Sequence, residues 1–160
     1  MRDYQSFSSL STYIRCGRQY FFRYCEGIKV PPAVAMIQGS SVHKAQEFNM
    51  RQKIESRVDL PTADILDCVS TVFDEKAQEV ETWDMDKGDA KDQVISIANV
   101  ASTDLYPFIQ PIDVEAEYNV VCGDTTMKVI IDTIDEHGLI RDTKVVGKTK
   151  TQGDADNDLQ

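Results

Sequence analysis

The sequence has no long hydrophobic run. No apolar stretch approaches the roughly 20 residues that a membrane-spanning helix needs. The N-terminal residues MRDYQSFSSL also lack the apolar segment of a secretory signal peptide. These two absences argue against a membrane protein and against a secreted one, and we therefore expect a cytoplasmic location.

Cysteine is scarce, and no two cysteines form a CxxC pair. The four residues are spread along the chain as Cys16, Cys25, Cys68 and Cys122. In a cytoplasmic chain of 160 residues this argues against a disulfide framework, and the spacing does not match a self-contained zinc site. We expect free thiols that are mostly buried.

Basic residues are outnumbered: 17 Lys and Arg stand against 27 Asp and Glu, for a formal net charge of −10. This balance argues against a protein that coats nucleic acid with a basic surface. It still allows a locally basic groove, and a site that gathers divalent metal must itself be acidic. What is present, 41% hydrophobic and 8% aromatic residues, is typical of one soluble globular domain with a real core.

Positive charge is concentrated near the N-terminus. Between residues 13 and 29 the single acid is Glu26, and the basic residues are Arg15, Arg18, Arg23 and Lys29. Aromatic residues interleave with them: Tyr13, Tyr20, Phe22 and Tyr24. Such a segment is a surface for phosphates and bases, or an amphipathic helix with a solvated arginine face and an aromatic core face. The second explanation is the commoner one for this pattern alone.

Four segments with helical periodicity come first in the chain. Residues 6–26 form one helix, or two helices broken at Gly17. The second helix begins at Gly39-Ser40-Ser41 and ends near Arg57, which places His43 close to its N-terminus. The third spans residues 62–82 with Thr62 as its cap. The fourth spans about residues 90–106 and has a core side formed by Ile95, Ile97, Ala98, Ala101 and Leu105.

From Ile112 onwards the apolar period changes from helical to alternating, which indicates strands. Turns at Gly123-Asp124 and His137-Gly138 divide this region into three strands, and the last strand runs from Leu139 to Val146. A three-stranded meander after four helices predicts an α/β (α+β-like) fold with one sheet, preceded and flanked by helices.

The residues that carry chemistry lie on the last two strands. Asp142 and Lys144 share one face of a strand, because side chains repeat every second residue. Across the turn, Asp132 lies nearly opposite Asp142 or one step off, so we expect the two carboxylates to converge. Their repulsion calls for a hard divalent cation such as Mg²⁺ or Mn²⁺. The adjacent lysine can orient a water molecule or stabilise charge on a phosphate, which suits phosphodiester hydrolysis.

A D-x-K triplet is very common, and by itself an exposed Asp-Lys surface pair explains it better. The presence of Asp132, ten residues before Asp142 and across a turn, makes a functional site more favoured than the D-x-K triplet alone would.

Several blocks together resemble the RecB-type branch of the PD-(D/E)XK nuclease superfamily, which includes RecB and AddB nuclease domains, CRISPR-associated exonucleases and phage exonucleases. The segment Ser8–Tyr20 resembles the N-terminal pattern S-x-L-x-x-Y-x-x-C-P-R-x-Y, and Gly39–His43 resembles the histidine-bearing helix. Asp132 and Asp142-Thr143-Lys144 match the D…(D/E)-x-K core. Asp158-Leu159-Gln160 resembles the start of a Q-x-x-x-Y helix. The resemblance covers nearly the whole chain.

This resemblance implies a restriction-endonuclease-like core with a central mixed sheet. It implies a metal site made of His43, Asp132, Asp142 and the backbone carbonyl of Thr143, with Mg²⁺ or Mn²⁺ bound. Lys144 would position or activate the attacking water, with Asp132 and Asp142 completing the catalytic set. The residues implied in positioning DNA are Gln160, Arg18 and Tyr20.

Three departures affect loop geometry more than catalysis: Gly17 replaces a proline, Thr143 replaces a common aromatic residue, and Val145-Val146-Gly147 replaces a Thr-Gly. Cys16 stands where some relatives bind an iron–sulfur cluster. The partner cysteines would lie beyond Gln160, so we expect no cluster within this chain.

The resemblance implies one nuclease-like domain over residues 1–160, which we expect to be incomplete at its C-terminal end. Residues 1–58 form a helical part with the histidine helix, residues 59–111 a helical insertion, and residues 112–160 the catalytic sheet with the start of the next helix.

The preferred hypothesis is a metal-dependent DNA exonuclease acting in recombination, repair or phage DNA processing, in the host cytoplasm if phage-encoded. It would work on DNA, with a recombination, helicase or single-strand-annealing protein as partner. Two alternatives stay open: a catalytically inactive nuclease-like module that binds DNA or protein, and an acidic metal-binding scaffold.

Overall fold

The computed structural model of the chain describes residues 4–145. No helix in this part of the chain is long and apolar enough to cross a bilayer. The described residues form two compact units. The first contains residues 4–30 and Glu117–Ile130, and the second contains Pro31–Ala116 and Ile131–Val145.

The elements follow a helices-then-strands order after one very short strand. Strand β1 (Gln5–Ser6) is followed by helices α1 (Phe7–Arg15), α2 (Gly17–Tyr20), α3 (Val34–Ser56), α4 (Thr62–Lys76) and α5 (Lys87–Asp104). Strands β2 (Pro111–Cys122), β3 (Thr125–Asp135) and β4 (Ile140–Arg141) come last. A π-helical turn, Phe21–Cys25, continues α2. This is a mixed α/β architecture, as the sequence predicts.

The first unit begins with a capped helix. Ser6 and Ser9 form a reciprocal capping box at the start of α1: the Ser9 N–H donates to Ser6 Oγ at 3.2 Å, and the Ser6 N–H donates to Ser9 Oγ at 2.9 Å. The helical run breaks at Cys16, whose backbone is extended. Of the two possibilities for residues 6–26, the structure therefore has the broken helix.

Helix α3 of the second unit begins earlier than the sequence predicts. It starts at Val34, two residues after Pro32, so Gly39-Ser40-Ser41 lies inside the helix and His43 is in its middle. The expected helix start at Gly39 is wrong. Both serine hydroxyls donate to the Ile37 carbonyl, at 3.2 and 2.7 Å, and so are satisfied within the helix instead of capping it.

Helices α3, α4 and α5 pack against one another around the core of the second unit. The predicted cap Thr62 is instead the first helical residue, with Pro61 at the cap position. Helix α5 begins at Lys87, where the Asp86 side chain accepts from the N–H groups of Gly88 and Asp89. Its expected core residues Ile97 and Leu105 are each 37% exposed. The fully buried side chains include Val42, Ala45, Met50, Ile65, Val69, Phe73, Ala90, Val94 and Ala98.

The sheet has four strands in mixed orientation. Strand β3 is central: β2 pairs with one of its edges, β1 pairs with it in parallel (Gln5 opposite Met127), and β4 pairs with it in antiparallel orientation. The predicted turns occur, with left-handed backbone at Gly123 and Gly138. The predicted α/β class with a central mixed sheet is confirmed. The third strand is shorter than expected, because strand pairing ends at Arg141.

The cysteines are free, as expected, but their predicted burial is wrong. Cys16, Cys25 and Cys122 are exposed, and Cys68 is half-buried.

Candidate metal and nuclease site

The predicted site residues come from three neighbouring parts of the second unit. His43 lies in the middle of α3, Asp132 lies on β3, and Asp142 and Lys144 directly follow β4. Helix and hairpin thus supply one imidazole, two carboxylates and one ammonium to the same region.

The β3–β4 register brings the two aspartates together. Thr133 pairs with Arg141, and Ile134 pairs with Ile140. One further step along this register places Asp132 opposite Asp142. The predicted convergence of the carboxylates therefore follows from how the hairpin pairs, although regular pairing itself stops one residue earlier.

His43 points at Asp132 and not into the apolar core. Its Nδ1 atom lies 3.3 Å from Asp132 Oδ2, and the two side chains are 29% and 24% exposed. Within residues 4–145, no donor is aligned for a hydrogen bond to this buried Oδ2 atom. The contact is thus a close approach without an aligned hydrogen bond, and it leaves an oxygen with unused capacity to bind a cation.

The other half of the site is an ion pair between Lys144 and Asp142. Lys144 Nζ lies 2.8 Å from Asp142 Oδ2, and both side chains are more than a third exposed. At this exposure the pair adds little to stability. The pair matters because of its position: it holds the Lys144 ammonium beside the Asp142 carboxylate, which faces Asp132.

The two halves influence each other's ionisation. Interaction with the Asp132 carboxylate raises the pKa of His43 above its ordinary value of 6.5, and burial opposes this shift. Interaction with His43 lowers the pKa of Asp132 below 3.8, against the effect of burial and with help from Asp142 and Lys144. Asp132 is therefore held as a carboxylate, ready to bind positive charge.

Two glutamates lie near this site. Glu47, one turn after His43 on α3, accepts from Lys44 Nζ at 2.6 Å and from Arg51 Nε at 2.8 Å. Glu115 on β2 is half-buried with a left-handed backbone (φ 53°). Burial, together with the charges of Asp132 and Glu47, raises the pKa of Glu115. Nothing in the sequence indicates the unusual backbone at Glu115.

The donor chemistry of the site fits a divalent cation, since an imidazole nitrogen and two carboxylates are ordinary ligands for one. The unsatisfied Oδ2 atom of Asp132 agrees with that fit. In the arrangement described, however, these side chains contact each other in pairs. Among the described residues, no group of three or more His, Cys, Asp or Glu side chains is gathered as a metal-binding cluster.

The remaining predicted residues lie elsewhere or outside the described chain. Thr143 is half-buried between Asp142 and Lys144. Arg18 and Tyr20 are on α2, in the first unit; the Arg18 guanidinium lies 5.5 Å from the centre of the Phe22 ring, and Tyr20 packs against the rings of Tyr13 and Tyr24. Gln160 lies outside the described residues.

Sequence reasoning missed the side chains that hold the site's hairpin in shape. Asp135, at the end of β3, accepts hydrogen bonds from the turn and from Arg141. The only sequence signal was an acidic residue three positions before a glycine in a turn, which is typical of turns in general.

These observations define a class of protein: helices combined with a mixed sheet that carries acidic and basic side chains at one hairpin. The family model for the PD-(D/E)XK nuclease superfamily matches residues 4–160. The chain belongs to the PD-(D/E)XK nuclease superfamily, whose members are phosphodiester hydrolases that act on DNA and generally use divalent metal ions. Searches of curated proteins and of solved structures gave no match.

Proposed function

We propose that this chain is a metal-dependent DNA exonuclease of the RecB/AddB-like branch, acting in recombination, repair or phage DNA processing. The observation that supports this most directly is the hairpin register, which sets Asp132 opposite Asp142 with Lys144 beside it. The contact of His43 with Asp132 adds the fourth member. We further propose a cytoplasmic location and a recombination, helicase or single-strand-annealing protein as partner.

We assign the metal to His43, Asp132, Asp142 and the Thr143 carbonyl, with Mg²⁺ or Mn²⁺ as the ion. When bound, such an ion supplies Lewis-acid stabilisation of a phosphate and lowers the pKa of a water molecule. The chain's own contribution is to keep the carboxylates ionised, as the lowered pKa of Asp132 indicates.

Lys144 carries the protein's part in the chemistry. Its ammonium lies beside Asp142 and is 41% exposed, so it can reach a water molecule or a phosphate oxygen without leaving the carboxylate. There it would orient the attacking water and offset the negative charge that builds on the phosphate. Arg18, Tyr20 and Gln160 are proposed to position DNA.

The test compares variants on linear DNA with Mg²⁺ or Mn²⁺. We expect Asp142→Asn and Lys144→Ala each to reduce the cleavage rate about 10²–10³-fold. Asp67→Asn, which changes an exposed aspartate on α4, should cleave at the wild-type rate. Cleavage of linear DNA with protection of covalently closed circles would establish the exonuclease mode. Unchanged cleavage in both site variants would refute the assignment.

One observation favours a second candidate, a nuclease-like module that binds DNA without cutting it. The site side chains contact each other in pairs, and the described residues contain no gathered metal-binding group. If the wild-type protein binds DNA and no divalent ion supports cleavage, this candidate replaces the first.

A further inference from the structure

The turn between β3 and β4 is built around one buried acid. Asp135 is only 2% exposed, yet its carboxylate accepts hydrogen bonds from the backbone N–H groups of His137 and Leu139, each at 2.9 Å. The backbone closes the same turn: the Asp135 N–H donates to the Leu139 carbonyl at 3.0 Å, and the Gly138 N–H donates to the Asp135 carbonyl at 2.9 Å. One Asp135 oxygen, Oδ1, thus organises the turn itself.

The other oxygen, Oδ2, is occupied by Arg141. Arg141 Nε donates to it at 2.9 Å, and an Arg141 terminal nitrogen lies 2.8 Å from it. An arginine bound through two of its nitrogens is fixed in direction as well as in distance. The carboxylate therefore joins the turn to the strand that follows it.

That strand is the one that delivers the site. Arg141 immediately precedes Asp142, and it pairs with Thr133, which immediately follows Asp132. Strand β4 has only two residues, Ile140 and Arg141, so few backbone hydrogen bonds fix its register. The Asp135–Arg141 pair adds a side-chain constraint that lies one residue from Asp142 and three residues from Asp132.

A neighbouring ion pair provides the comparison. Glu136 follows Asp135 in the same turn, and its carboxylate lies 2.7 Å from an Arg57 nitrogen. Both of these side chains are well exposed, and neither contacts β4 in the hydrogen bonds described. This pair therefore shares the turn with Asp135 but not its link to Asp142.

We propose that Asp135 and Arg141 are positioning residues, which hold Asp142 opposite Asp132 so that the two carboxylates bind one divalent cation. This rests on the proposed function, since it concerns the metal-binding half of that site. Neither residue contacts the cation; Asp135 acts through Arg141 and the turn.

The test measures Mn²⁺ binding directly, by the electron paramagnetic resonance signal of free Mn²⁺, on the full chain without DNA. Asp135→Asn and Arg141→Gln should each raise the Mn²⁺ dissociation constant about tenfold or more. Arg141→Gln is the gentler variant, because it leaves both backbone hydrogen bonds to Asp135 in place. Arg141→Lys, which keeps the charge but not the two-nitrogen contact, should restore binding only in part. Glu136→Gln should bind as the wild type does.

The double variant Asp135→Asn/Arg141→Gln tests whether the two residues act through their shared interaction or whether each substitution weakens Mn²⁺ binding independently. If both residues act through one interaction, the double variant should bind Mn²⁺ no more weakly than the worse single variant. In cleavage assays the metal concentration for half-maximal rate should rise while the KM for DNA stays unchanged.

The outcomes distinguish the two proposals. Lower thermal stability of Arg141→Gln with wild-type Mn²⁺ affinity would show a purely structural role and overturn this inference alone. A wild-type chain that neither binds Mn²⁺ nor cleaves DNA would overturn the proposed function, and this inference with it.

Discussion

The Asp135 carboxylate is an ionised group in a nearly solvent-free position. Burial alone would raise its pKa, but hydrogen bonds from Leu139, Arg141 and His137 outweigh burial and lower the pKa below the ordinary 3.8. Because the pKa of Asp135 is lower in the folded state, its charged form stabilises the fold at every pH above the ordinary pKa of 3.8. This stabilisation is lost as pH falls through the folded-state pKa.

At the scale of this residue we predict a pH-dependent difference between wild type and Asp135→Asn. The wild type should have the larger free energy of unfolding, by a constant margin between about pH 5 and 8. The margin should shrink once pH falls below the ordinary pKa of 3.8, as the wild-type carboxyl becomes neutral. Urea denaturation across this range measures it. A margin that stays constant down to the lowest pH at which both proteins fold would contradict the ion-pair explanation.

The site residues show what a sequence can and cannot predict at this scale. The spacing of ten between Asp132 and Asp142, with a glycine turn between them, is enough to predict their convergence, and the register agrees. The direct contact of His43 with Asp132 depends on how α3 lies against the sheet within the second unit. That packing comes from contacts far apart in the chain, which local patterns do not encode.

Helix α3 shows, for a whole secondary-structure element, the same limit of prediction from local sequence patterns. Gly39, Ser40 and Ser41 have the composition of a helix start, yet apolar contacts of Val34 and Ile37, each 2% exposed, extend the helix further back. Burial in the tertiary structure thus overrides local preference. Strand β1 could not be predicted either, because two residues carry no readable alternation and their partner lies more than a hundred residues away.

Two glycines in these elements should respond to alanine in opposite ways. Gly39 lies inside α3 with no atom near the position of an added Cβ, so Gly39→Ala should stabilise the protein by about 0.5–1 kcal/mol. Gly138 also has open space around it, but its φ is +76°. Gly138→Ala should therefore destabilise by about 1–2 kcal/mol.

Thermal or urea unfolding of the two variants measures this difference. Each serves as the other's control, since both add one methyl group where space is available. Equal effects from the two substitutions would contradict the assigned backbone conformations.

The net charge of the whole molecule affects how it can bind DNA. A net charge of −10 opposes association with a polyanion, so contact must rely on local positive charge and on bound cations. In the first unit, exposed Arg18 and Arg23 lie against the rings of Phe22 and Tyr24, at 5.5 and 5.6 Å from the ring centres. Arginines stacked in this way present both charge and a flat surface.

We predict that the double variant Arg18→Gln/Arg23→Gln reduces the salt dependence of single-stranded DNA binding. Each arginine that neutralises a phosphate contributes about 0.7 to the slope of log Kobs against log salt, so the pair should remove about 1.4. Fluorescence anisotropy with a labelled oligonucleotide, in chelator to prevent cleavage, measures the slope. Arg57→Gln, an exposed arginine in the second unit, is the control and should not change it. An unchanged slope in the double variant would support the ordinary explanation of a solvated helix face.

Helix α3 also has a consequence for how this chain can change over evolution. The helix runs from Val34 to Ser56, and it carries His43 at its middle. Further along, buried Lys53 donates to Asp59 at 2.7 Å and to the Tyr106 carbonyl at 2.8 Å. One residue inserted between His43 and Lys53 would turn one relative to the other by about 100° and move it about 1.5 Å. Substitutions can accumulate on this helix, whereas insertions and deletions should be eliminated, so its length between these two residues is fixed more strictly than its composition.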